Sequence, residues 1–61
     1  MDLRREAERA TRMLKGKVVS VVWRHRKKEI GIQFIDGTRF FIDHQLNGLR
    51  LSISGGKENA R

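Results

Sequence analysis

The sequence predicts an α+β, mainly β fold, an N-terminal helix followed by a four-stranded antiparallel meander, and three observations lead there. A helical apolar stripe ends at Gly16, the apolar period changes to two from Lys17, and the turn signals Asp36-Gly37 and Asn47-Gly48 punctuate the alternating part. The single domain is read as residues 1–54, with the helix over 2–15 and strands over about 17–24, 29–35, 38–46 and 49–54. Residues 55–61, with Gly55 and Gly56 and no large apolar side chain, read as a flexible tail.

Asp2 is placed to cap the helix, Lys15 to complement its C-terminal dipole, and Gly16 to take the left-handed residue that ends it. Leu3, Ala7, Ala10 and Leu14 recur at helical spacing, and Met13 widens the stripe. Glu8 stands one turn from both Arg4 and Arg12 and is spaced to pair with either. Because two members of the stripe are alanines, this helix holds only against the sheet or against another copy of itself.

In the first strand Val19, Val21 and Trp23 are expected on one face, with Trp23 opposite Ile30 and Arg24 opposite Glu29. The connecting tip, His25-Arg26-Lys27-Lys28, is the most basic segment of the chain. The next hairpin fixes its own register. A three-residue loop Ile35-Asp36-Gly37 with Gly37 left-handed puts Phe34 opposite Thr38, Ile32 opposite Phe40 and Ile30 opposite Ile42. A two-residue Asp-Gly loop would pair Phe34 with Arg39 and scatter the apolar residues over both faces, which a half-buried sheet resists.

Read as a two-residue type I′ turn, Asn47-Gly48 places Leu46 opposite Leu49, His44 opposite Leu51 and Ile42 opposite Ile53. The inner face then carries Val19, Val21, Trp23, Ile30, Ile32, Phe34, Phe40, Ile42, Leu46, Leu49, Leu51 and Ile53. The other face is mostly polar around a cross-strand row of Val22, Gly31 and Phe41. A curled sheet, a small closed barrel or a second copy would each cover the apolar side. The layout resembles that of small SH3-like β-barrel modules with basic tips, a likeness of arrangement without a shared motif, and fold does not carry function.

A chain of 61 residues makes one domain and buries only about 60% of its unfolded surface. Disulfides are excluded by the absence of cysteine, and His25 with His44 fall short of the four ligands of a structural zinc. Oligomerisation is the remaining common aid, which makes a homodimer the expectation. No apolar run is long enough to span a bilayer, the N-terminus lacks the apolar core of a secretory signal, and the cysteine-free composition suits the cytoplasm.

The net charge of +7 attracts polyanions or acidic protein surfaces. The candidate binding residues are Arg24, His25, Arg26, Lys27 and Lys28 at the loop, with Arg39, Phe41 and Arg50 on the polar face. Cations on a hairpin tip can clamp phosphates, although a charged tip also keeps a hairpin from aggregating. Phe41 beside Arg39 and Arg50 can hold a base between a ring and a guanidinium, or its ring can simply cover the bare backbone of Gly31. Arg5, Arg9 and Arg12 are candidates to extend the patch, diluted by Glu6 and Glu8.

Asp43 and His44 point through opposite faces and cannot chelate one ion, while Glu29 and Asp43 are expected as cross-strand neighbours. Gly55-Gly56-Lys57 lacks the following Ser or Thr of a phosphate loop, and no nucleophile and base are paired. The expectation is therefore a non-enzymatic binding protein without cofactor or metal, its partner a nucleic acid or other polyanion. An accessory or inhibitory subunit docking on an acidic protein is the alternative. A third reading is a nucleotide clamp formed by Phe41 and Arg39.

Overall fold

The computed structural model describes residues 2–55. Helix α1 (Leu3–Leu14) is followed by β1 (Val19–Trp23), β2 (Glu29–Phe34), β3 (Thr38–Gln45) and β4 (Gly48–Gly55). The strands form one antiparallel sheet in the order β1-β2-β3-β4, open at both edges, so the closed-barrel alternative is not formed. Gly55 belongs to β4 rather than to the expected tail, whose residues 56–61 lie outside those described. No described helix is long and apolar enough to cross a membrane.

The Asp2 carboxylate accepts from the Arg4 N–H at 3.0 Å, which caps α1 as its sequence implies. The other end closes through the Lys15 N–H to the Thr11 carbonyl (2.8 Å) and the Lys17 N–H to the Leu14 carbonyl (3.0 Å). Gly16, at φ 80°, makes that reversal possible. Glu6, Arg9 and Ala10 border Leu51 and Ile53, so α1 runs along β4 on the inner face. The opposite face of the sheet is left open. None of the α1 residues is buried.

The β2–β3 hairpin has the register that alternation demands, with Ile30 opposite Ile42 and Ile32 opposite Phe40. Gly37 sits at φ 95° and its N–H donates to the Phe34 carbonyl at 2.9 Å. Asp36 ties this loop to the chain leaving α1: one carboxylate oxygen accepts the Thr38 N–H (2.9 Å), and the other takes the Lys17 ammonium at 2.5 Å. Beneath the loop lie Phe34, 7% exposed, and Thr38, 5% exposed. Phe34 is the one hydrophobic residue that is buried among the described residues.

Two registers differ from the sequence expectation. In β1 the lower end is held by Val19 opposite Phe34 and by the Ile35 N–H donating to the Val18 carbonyl at 2.9 Å. An extra residue, Ser20, then bulges out, and the ladder resumes with Val21 opposite Gln33, Val22 opposite Ile32 and Trp23 opposite Gly31. Every side chain beyond the bulge changes face. Trp23 and Val21 move to the outer face, Val22 moves to the inner one, and Arg24 no longer faces Glu29. The physical reason is that Gly31 leaves a gap on the outer face for a large ring, while β1 carries valines on both sides and is apolar in either register.

In the last hairpin Gln45 pairs with Gly48, so the tip is Leu46-Asn47. A type I′ turn needs positive φ at both central residues. Asn47 does not have it, since no described residue other than glycine has positive φ, and Gly48 takes the excursion at φ 137°. The shift of two residues preserves faces: Leu49, Leu51 and Ile53 stay inside, with Phe40 now opposite Ile53 and Ile42 opposite Leu51. Leu46 leaves the inner face for the tip, 98% exposed. In this register β4 pairs with β3 from Gln45 to Thr38.

The Lys17 ammonium, with help from the Thr38 N–H, holds the Asp36 carboxyl well below the usual carboxylate range. Its contribution to stability is complete above the unfolded value near ~4 and is lost as pH falls toward the lowered folded value. Asp36→Asn therefore lowers the thermal midpoint at neutral pH, and its deficit against the parent protein shrinks as the pH is taken below ~4. Thermal melts followed by circular dichroism across pH 2 to 7 check this, the range chosen to bracket ~4.

Candidate nucleic-acid interface

The outer face is organised by one cross-strand row: Trp23, Gly31, Phe41 and Ser52 stand side by side on the four strands. Because Gly31 has no side chain, the rings on either side of it lean together. The Trp23 and Phe41 centroids lie 6.0 Å apart and their planes differ by 10°. A Cβ on Gly31 would fall 2.6 Å from Phe41 Cε1 and 3.0 Å from Trp23 Cε3. Gly31 is buried, and both rings are half-buried.

An arginine and a histidine flank the row. Arg39, one row toward the 35–37 loop, sets its guanidinium carbon 5.8 Å from the Trp23 ring centroid. His25, two residues beyond Trp23 toward the basic tip, stacks on the indole at 6.3 Å and 24°. The tip itself is a turn closed by the Glu29 N–H donating to the Arg26 carbonyl at 3.4 Å, which puts Lys27 and Lys28 at its centre. Two bonds brace it: the Arg24 guanidinium donates to the Lys27 carbonyl at 2.9 Å, and the His44 N–H to the Lys28 carbonyl at 2.8 Å.

The remaining predicted residues are placed differently from one another. Arg24 borders Ile30, Ile42 and Leu49, on the inner side of the sheet's end, a consequence of the bulge at Ser20, and Lys27 and Lys28 line the same cavity. Arg26 stands 3.8 Å from Glu29, and Arg50 stands 3.6 Å from Asp43. Glu29 and Asp43 are cross-strand neighbours as anticipated, each with an arginine beside it, and Gln45 donates a further bond to Asp43. The expected Arg24–Glu29 pair is replaced by Arg26–Glu29. Arg5 and Arg9 border Leu51, across the sheet from Phe41, so they do not extend the outer patch.

The residue that sequence reasoning left out of this site is Trp23. Its signal was Gly31 itself: a strand glycine between large neighbours marks a close approach, and Trp23 and Phe41 are the aromatics near enough to supply it. Among the described residues no three His, Asp or Glu side chains gather as a metal site. What the arrangement can do is present two parallel, half-exposed aromatic rings with a guanidinium and an imidazole against the indole.

Replacing Gly31 by Ala forces a methyl into Phe41 ring atoms, and overpacking of this kind costs about 1–3 kcal/mol. In chemical denaturation the double variant G31A/F41A is expected to be less destabilised than the sum of its parts, because the collision is shared. Additive losses would contradict the packing of Phe41 over Gly31. No protein-family model, no curated protein and no solved structure matches this chain.

Proposed function

We propose that this chain is a small non-enzymatic binding protein, cytoplasmic, that takes nucleic acid or a related polyanion through loop 25–28 and the cations of the outer face. One observation carries the reading: the loop is braced as a cationic tip by bonds to its carbonyls at Lys27 and Lys28, and Arg39 adds a further cation on the outer face. Lys27 and Lys28 project from the turn centre, and Arg26 and Arg50 offset the carboxylates that would repel a phosphate. Phosphate contacts from such a tip supply affinity and position without reading sequence.

Salt and substitution test this together. Random-sequence DNA and RNA are expected to bind the protein at low salt, with heparin as the polyanion control. Lys27→Ala with Lys28→Ala is expected to weaken binding roughly ten-fold and to flatten the slope of log affinity against log salt by about 1.4–1.8 for two lost phosphate contacts. No nucleic-acid binding at low salt, or unchanged affinity in the double variant, would turn the reading toward an acidic protein partner.

The inner face favours a second copy as part of the same proposal. Val22 is 54% and Leu49 65% exposed, and the rows Val22-Ile32-Phe40-Ile53 and Ile30-Ile42-Leu51 carry no charge. Two such faces can meet through these apolar rows, with Arg24 at their edge and Arg5 and Arg9 on the helix beside Leu51. Light scattering after size exclusion is expected to give twice the 7.1 kDa chain mass at micromolar concentration; the single-chain mass would contradict the dimer.

A further inference from the structure

We infer that unpaired nucleobases stack on the Trp23–Phe41 surface, so that the ligand of the outer face is single-stranded nucleic acid rather than duplex. This rests on the nucleic-acid reading of the basic tip and names its substrate class. The argument begins with Gly31. Because a Cβ there would collide with Phe41 at 2.6 Å and 2.8 Å and touch Trp23 at 3.0 Å, both rings lie close over bare backbone, and both remain half-exposed. Their planes are within 10° of each other at a centroid separation of 6.0 Å, a parallel stacked pair rather than an edge-to-face one. Helix α1 lies on the other side of the sheet, against Leu51 and Ile53, and leaves that surface uncovered.

Charge complementarity selects the occupant. A stacked base carries a phosphate on each side along the strand, and here the Arg39 guanidinium lies over the indole while the His25 imidazole stacks on it; Lys27 and Lys28 stand at the adjoining tip, bordering the same cavity as Arg24, Ile30 and Ile42. Successive rows on one face of a sheet are about 6.7 Å apart, so the Arg39, Trp23 and His25 positions form a short track along the strand direction. A duplex cannot use the rings, since its bases already stack on one another, and is limited to the lysine tip. A single strand engages both, and each stacked base adds to affinity without regard to sequence.

Trp23 is the sole tryptophan, so its fluorescence reports on this surface alone. The full chain is titrated with oligodeoxythymidylate, with a mixed-sequence duplex of equal length, and with heparin. The single strand is expected to quench Trp23 and to bind at least about ten-fold more tightly than the duplex. Phe41→Tyr, which keeps a ring, is expected to retain that preference. Phe41→Leu, which still covers Gly31 with apolar atoms but offers no π-face, is expected to lose about ten-fold on the single strand and little on the duplex, with far-ultraviolet circular dichroism confirming the fold. Equal affinity for single strand and duplex without quenching would overturn the stacking inference and leave the polyanion reading in place. Binding of heparin alone, or of nothing, would overturn both.

Discussion

The structure depends on one backbone irregularity, the extra residue at Ser20. Val19 below it and Trp23 above it cannot both satisfy a regular ladder against β2, and the bulge resolves this by letting β1 change face partway along. Its consequence is that the largest side chain of the protein leaves the side that also holds Phe34 and Phe40 and settles over Gly31 beside Phe41. Without it, the outer face would carry one aromatic ring and the loop at 24–28 would begin on the opposite side of the sheet.

From that irregularity follow two faces of different chemistry. The inner face gathers aliphatic and phenyl groups, with α1 near Leu51 and Ile53 of β4, and Val22 and Leu49 on it stay exposed. The outer face gathers two rings, an imidazole and a guanidinium. The acidic pair Glu29 and Asp43 stands between the rings and the tip, and each carboxylate has an arginine within 4 Å. Those arginines thus shape the local potential through their carboxylate partners, while Lys27, Lys28 and Arg39 present charge outward.

How far the sequence revealed this differs from strand to strand, for physical reasons. The β2–β3 hairpin was legible because its apolar residues alternate strictly and only one loop length keeps them together. The β4 faces were legible, but its register was not: a slip of two residues leaves every face unchanged, so only turn chemistry could decide, and Asn47 does not adopt the positive φ its dipeptide suggests. β1 was illegible beyond Val19. With Val18, Val19, Val21 and Val22 flanking a serine, either face is apolar in either register, and nothing in the alternation marks Ser20 as the surplus residue. The outer-face glycine and phenylalanine were found; their tryptophan partner was hidden behind that ambiguity.

The most direct test of the account is the position of the Trp23 ring in solution. Proton nuclear Overhauser contacts are predicted between the Trp23 indole and both the Phe41 ring and the Gly31 α-protons, with those α-protons shifted strongly upfield by the two ring currents. Contacts from the indole to Ile30 or Ile42 instead, with ordinary Gly31 shifts, would mean that β1 runs without its bulge and that the outer aromatic surface does not exist.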